Sequence, residues 1–128
     1  MLKILVVDDE PIVRKSISKY LKRLGYDVDV AEDGSVALKK LEEQSYDLVL
    51  TDLRMPNGDG RELLKVMAKK YPDIPKIVFT AYGEDKDIIL ALQSGARDYL
   101  FKPVVDFSII DHSVKRVLEL KRLNDEKN

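Results

Sequence analysis

The chain has no cysteine, which excludes disulfides and thiolate zinc sites and fits a reducing cytosol. It has one histidine, His112, in the last helical stretch and away from the acidic motifs. We read it as an ordinary surface residue, neither a metal ligand nor a phosphoryl carrier. There is no excess of either charge: 22 Lys and Arg against 23 Asp and Glu leave a formal net charge of -1. That gives no bulk attraction to nucleic acid or anionic membranes, and neither is expected as a partner. Long hydrophobic runs are missing too. Ile4-Leu5-Val6-Val7 is interrupted by Asp8-Asp9, too early for a signal peptide or a membrane helix. We find no low-complexity segment, no DNA-binding pattern and no second catalytic motif.

What is present is one soluble globular domain. With 128 residues, 45% of them hydrophobic, the chain can bury about two thirds of its unfolded surface. Strand and helix patterns alternate along it. Leu2 to Val7 is a short apolar run suited to a strand buried on both faces. Pro11 opens a helix carrying Val13, Ile17, Tyr20, Leu21 and Leu24, which Gly25 closes. Tyr26 to Ala31 reads as a weaker, outer strand, and a second helix covers about Gly34 to Gln44. Strands three and four fall at Asp47 to Thr51 and Lys76 to Phe79, separated by a helix over about Gly60 to Tyr71. A fourth helix, about Glu84 to Ser94, ends at Gly95. Strand five is about Asp98 to Phe101, and a last helix starts near Asp106. Five strand–helix pairs with short connections imply an α/β fold, a parallel sheet with helices on both faces.

The strands share one feature. Strand one runs into Asp8-Asp9, strand three into Asp52, strand four into Thr80 and strand five into Lys102. In a parallel sheet these ends lie along one edge, where open α/β sheets bind ligands. Taken singly, each residue has a bland role: a turn former, an Asx turn, a helix cap or a solvated charge. Together they describe chemistry. Two carboxylates about 4 Å apart repel by roughly 4 kcal/mol at an effective dielectric of 20. Three of them call for compensation, and hard oxygen ligands suit Mg²⁺, which keeps several waters and binds one or two carboxylates plus a phosphate. Lys102 and Thr80 complete a site for a transferring phosphoryl group, with Asp52 as the nucleophile that becomes an aspartyl-phosphate. Pro56, Gly58 and Gly60 force the turn that follows Asp52.

Four segments carry a resemblance. They are Ile4-Leu5-Val6-Val7-Asp8-Asp9-Glu10, Asp52-Leu53-Arg54-Met55-Pro56-Asn57-Gly58-Asp59-Gly60, Phe79-Thr80-Ala81, and Gly95-Ala96-Arg97-Asp98-Tyr99-Leu100-Phe101-Lys102-Pro103. In that order they make the chain resemble the receiver (phosphoacceptor) domain of two-component response regulators, chemotaxis regulators among them, over residues 1–120. The resemblance implies a flavodoxin-like (βα)5 three-layer sandwich with sheet order 2-1-3-4-5. It leaves 121–128 as the end of the last helix, a linker or a dimer extension. It implies that Asp52 accepts a phosphoryl group from a sensor histidine kinase or a histidine phosphotransfer protein. Mg²⁺, with Mn²⁺ as a substitute, is held by Asp9, Asp52 and the backbone carbonyl of Arg54, Asp8 acting mainly through water. Thr80 and Lys102 meet the phosphoryl oxygens, and Thr80 and Tyr99 form the switch. The output, a domain or a downstream protein, reads helix four, strand five and helix five. Val13, Arg14 and Pro103 are candidates for kinase docking, and a cis Lys102–Pro103 bond is expected. Such a domain is a cytoplasmic signalling module rather than a turnover enzyme. It catalyses only its own phosphorylation and slow dephosphorylation.

Arg54 and Tyr82, two residues after Asp52 and Thr80, are bulky and should flank the phosphoryl group, restricting the attacking water and lengthening the phosphoryl lifetime. The apolar pattern Val114, Val117, Leu118, Leu120 and Leu123 extends past what a compact domain needs, as sheet cover, dimer helix or linker. Two rival classes stand beside the receiver. One is an Asp-nucleophile phosphohydrolase of the haloacid-dehalogenase type, although Asp8-Asp9-Glu10 lacks its Asp-x-Asp spacing and the length leaves little room for a cap. The other is a pseudo-receiver interaction module, which normally lacks one of the residues that are all present here.

Overall fold

The computed structural model of the protein describes residues 1–53, 55, 60–80, 89, 91–102 and 106–127. Five strands, β1 (Lys3–Val7), β2 (Asp27–Ala31), β3 (Leu48–Thr51), β4 (Lys76–Thr80) and β5 (Asp98–Phe101), form one parallel sheet in the order β2-β1-β3-β4-β5. Helices α1 (Pro11–Arg23), α2 (Gly34–Glu43), α3 (Gly60–Lys70) and a C-terminal helix (Ser108–Lys127) connect and cover it. Of the expected fourth helix, residue 89 and residues 91–93 are described, and they are helical.

The strand sequences explain the layering. β3 and β4 are buried along their whole length, as is β1 beyond Lys3. The edge strands β2 and β5 are only partly covered. Alternate residues of the central strands point to opposite faces. Ile4, Val6, Leu48, Leu50, Ile77 and Phe79 meet Ile17 and Leu21 of α1 and Ile110, Val114 and Val117 of the C-terminal helix. Leu5, Val7 and Val49 meet Ala37 and Leu41 of α2 and Leu63 and Met67 of α3. Near-continuous apolar strands between two helical layers thus give the three-layer sandwich.

Helix ends follow local chemistry. The Asp33 side chain caps α2 by accepting from Val36 N at 2.9 Å. Gly25 and Gly95 have φ of 99° and 85°, and each ends its helix with the paired backbone bonds of a Schellman motif. Lys76 is the one buried lysine of β4. It donates from Nζ to the Ser94 carbonyl at 2.8 Å, satisfying the end of the fourth helix. Burial, then the nearby Arg97 charge, pushes its ammonium below the usual lysine value. On the adjacent edge strand, Asp98 accepts from Ser113 Oγ at 2.6 Å and from Arg116, tying β5 to the C-terminal helix.

The order of the sheet reverses around β1, whose neighbours β2 and β3 lie on either side. The register sets Val7 beside Thr51, Thr51 beside Val78, and Thr80 beside Phe101. The residues following these positions therefore share one edge.

Candidate phosphoacceptor site

Asp8 and Asp52 are the residues that follow β1 and β3. Their backbone N–H groups still belong to the sheet, donating to Ala31 O at 3.1 Å and Val7 O at 2.9 Å. Each carboxylate is placed by the strand that delivers it, and both are buried. Asp52 is oriented further. Its Oδ1 accepts from Leu53 N at 2.7 Å, and its carbonyl accepts from Thr51 Oγ1 at 2.8 Å. Gly60, the first residue of α3, sits against that carbonyl: a Cβ there would lie 2.0 Å from Asp52 O. Only glycine lets α3 start so close to the strand tip. In the sequence Gly60 is legible only as a turn former.

Lys102 follows β5 and stays in register, its N–H donating to Thr80 O at 2.9 Å. Its ammonium crosses the edge to the acids. Nζ lies 2.9 Å from Asp52 Oδ2, 2.7 Å from Asp8 Oδ2 and 3.1 Å from Glu10 Oε1. The side chain is only 7% exposed, whereas a lone sequence lysine reads as a solvated charge. Burial works against the ammonium, but the neighbouring carboxylates of Asp8 and Asp52 prevail and hold its pKa above the usual range. Burial raises Asp8, only partly offset by Lys102 and by the Glu10 N–H that donates to its Oδ1 at 2.9 Å. The contact of Asp8 Oδ2 with Lys102 is Coulombic. That oxygen is buried and accepts no directional hydrogen bond.

Carboxylate oxygens of Asp8, Asp9, Glu10 and Asp52 lie within 4.8 Å of one another. These four acids offer hard oxygen donors, three of them contact Lys102, and one buried oxygen lacks a hydrogen bond. This donor set fits a small divalent cation such as Mg²⁺. Two residues that the sequence left out of the site belong to its frame. Glu10 reaches Lys102, and Arg14 of α1 donates from NH1 to the Asp8 carbonyl at 2.8 Å. Adjacency in the Asp-Asp-Glu run is the signal that could have found Glu10.

The other expected residues distribute as follows. Thr80 is buried at the tip of β4. Tyr99 is half-buried against the cluster of Leu53, Leu64, Val78 and Ala91. Its hydroxyl oxygen is shielded from solvent, and its ring centroid is 5.0 Å from that of Phe101. Val13 packs toward the core, so on that turn of α1 the neighbouring Ile12 is the exposed apolar residue. His112 is exposed. Arg54, Tyr82 and Pro103, and with them the expected carbonyl ligand and cis bond, lie outside the described residues.

A doubly wound parallel sheet that gathers buried acids and a lysine along the carboxyl edge of its strands has the arrangement in which open α/β domains hold their ligands. Residues 4–114 match the family model of the response regulator receiver domain, and the chain belongs to that family. It is 40% identical over 122 residues to the transcriptional regulatory protein ZraR of Klebsiella oxytoca, covering 95% of this chain and 27% of that protein. It is 43% identical over 101 residues to the transcriptional regulatory protein ResD of Bacillus subtilis, covering 79% of this chain and 42% of that one. The chain thus spans less than half the length of these relatives. Among solved structures, a CheY-like receiver domain protein from Methanospirillum hungatei superposes with a TM-score of 0.93 at 30% identity, covering 97% of this chain and 98% of that one. The response regulator TrrA of Thermotoga maritima, in complex with Mg(2+)-BeF, gives 0.83 at 37% identity over 91% and 99%. The expected fold, strand order and receiver class are borne out.

Proposed function

We propose that Asp52 is the phosphoacceptor of this receiver and that Asp8, Asp9, Thr80, Lys102 and the Arg54 carbonyl serve it. The observation that carries this reading is the Lys102 ammonium set between the two buried carboxylates Asp8 and Asp52. Leu53 N and Lys102 Nζ fix the two oxygens of Asp52, so the nucleophile is oriented before the donor arrives. One oxygen attacks phosphorus as the bond to the nitrogen of a phosphohistidine breaks, the histidine belonging to a sensor kinase or a phosphotransfer protein. Lys102 and the Thr80 hydroxyl then take up the charge of the transferred oxygens. Asp8, Asp9, Asp52 and the Arg54 carbonyl would hold Mg²⁺ or Mn²⁺, which when bound neutralises the phosphoryl oxygens and the crowded acids.

The same residues support self-phosphorylation and slow self-hydrolysis rather than turnover of an external substrate. Movement of Thr80 toward the phosphoryl group, with Tyr99 following, would alter the face made by the fourth helix, β5 and the C-terminal helix. Phosphorylation shifts that equilibrium only as far as it binds one state better. Ile89, Leu92, Phe101 and Ile109 are exposed on these elements and suit an output domain or a downstream protein. Residues 1–120 form the receiver in this reading. The exposed Leu120 and Leu123 in the final turns suit a linker or a second copy of the chain. Sedimentation with and without beryllofluoride separates these two, a monomer throughout removing the second copy. The reading places the chain in the cytoplasm. Among the described residues no helix is long and apolar enough to cross a membrane.

The test is intact mass after incubation with acetyl phosphate, with and without Mg²⁺, for the parent and Asp52→Asn. One added phosphoryl group, dependent on Mg²⁺ and absent from the variant, is expected. An adduct that persists in Asp52→Asn would overturn the assignment. In chelating buffer the variant should be at least as stable as the parent, since it removes one of several mutually repelling charges.

A further inference from the structure

Glu10 occupies the N-cap position of α1, yet its side chain makes no capping hydrogen bond. Its backbone does all that the fold requires. The conformation is extended (φ -87°, ψ 112°), as a residue before proline prefers. Its N–H donates to Asp8 Oδ1, and its carbonyl accepts from Arg14 N at 3.0 Å. The carboxylate is left to other use, and it goes to Lys102, 92 positions away in sequence, at 3.1 Å. At 57% side-chain exposure it can swing into solvent without opening the core.

We propose that Glu10 is a positioning residue of the phosphoacceptor site with two opposed effects, a proposal that rests on the function argued above. Its charge joins those of Asp8, Asp9 and Asp52, whose oxygens lie within 4.8 Å, and so strengthens cation binding. The same carboxylate competes for the ammonium that phosphoryl oxygens need, and so restrains anion capture. An incoming phosphoryl group must displace Glu10 from Lys102 while passing a fourth negative charge. An ordinary solvated ion pair would do neither.

Two titrations by calorimetry read the two effects separately: Mg²⁺ alone, and beryllofluoride at saturating Mg²⁺. Glu10→Gln keeps every backbone bond and removes the charge. It should weaken Mg²⁺ binding and tighten beryllofluoride binding, each by about two- to fivefold, the range of one exposed charge pair. Both shifts should shrink in high salt. Glu10→Asp keeps the charge but withdraws it by one methylene. It should bind Mg²⁺ like the parent and still tighten beryllofluoride. Glu42→Gln, an exposed acid near the far end of α2, is the control for net charge. If the parent binds both probes and Glu10→Gln shifts neither, shifts both in the same direction, or matches Glu42→Gln, the role of Glu10 is overturned while the phosphoacceptor reading stands. If the parent binds neither probe, that reading falls and this proposal falls with it.

Discussion

Two clusters of aspartates around a lysine sit at opposite ends of the sheet, and they are built to different ends. At the N-terminal end, Lys3 lies 3.4 Å from Asp29 and 3.9 Å from Asp27. Asp29 also accepts from Tyr46 Oη at 2.7 Å, and Asp47 from Lys3 N at 2.8 Å. Asp29 is partly open to water, and although its burial pushes the other way, Tyr46 and Lys3 hold its pKa below the usual aspartate range. At the C-terminal end, Asp8 is buried, keeps an oxygen without a directional hydrogen bond and has its pKa raised by burial. The first cluster satisfies its acids and holds strands together. The second leaves acids buried and crowded, a cost consistent with the cation and phosphoryl site proposed above.

The largest test of that contrast replaces each of the two lysines in turn. Lys102→Met leaves Asp8 and Asp52 buried without their counter-charge and should cost about 4 kcal/mol in urea unfolding at neutral pH. Lys3→Met, in a solvated cluster, should cost less than about 1 kcal/mol. Similar losses would erase the distinction. Next in size is Gly60→Ala, whose Cβ would collide with the Asp52 carbonyl. Displacing α3 or the β3 tip should cost about 3 kcal/mol and lower phosphoryl uptake in the mass assay.

A smaller pair of effects should have opposite signs. In chelating buffer at pH 7, Asp8→Asn should stabilise by about 1 kcal/mol by removing a charge whose burial, with the like charge of Asp52, outweighs its pairing with Lys102. Asp29→Asn should destabilise by about 1 kcal/mol by weakening satisfied hydrogen bonds. The pH dependence follows from the shifts. Asp8, raised in the folded state, contributes stability below the unfolded aspartate value of about 3.9, and that contribution is lost as pH rises through its folded value. Asp29, lowered in the folded state, contributes stability above about 3.9, lost as pH falls through its folded value. Unfolding curves from pH 3 to pH 7 for both variants check the signs, and both differences from the parent should fade at the acid end. The smallest expected effect is the response of these variants to Mg²⁺. The cation should raise the melting temperature of the parent and of Asp29→Asn alike, and that of Asp8→Asn less.

Much of this was readable in the chain. The apolar strand runs, the glycines at helix ends and the polar residue after each strand led directly to the parallel sheet and to Asp8, Asp52, Thr80 and Lys102. Other residues escaped because sequence spacing carries no phase or depth. Val13, on the apolar stripe of α1 in the sequence and a docking candidate by resemblance, packs toward the core and leaves Ile12 outside. Arg14, a docking candidate by resemblance, has a structural role the sequence does not show: its guanidinium holds the Asp8 carbonyl. Lys76 starts an apolar strand, and only packing reveals that it is buried against the end of a helix.

The sequence by itself determined the elements and the chemistry available at the strand ends, because periodicity, proline, glycine and carboxylate placement act locally along the chain. Only the tertiary structure decided what those ends do to each other. Lys102 meets Asp8 because the sheet brings the tips of β1 and β5 within reach of one side chain, and Gly60 matters because α3 begins against the Asp52 carbonyl. Those are distances between parts of the chain remote in sequence, set by strand order and register, and they turn a row of ordinary turn residues into one electrostatic site.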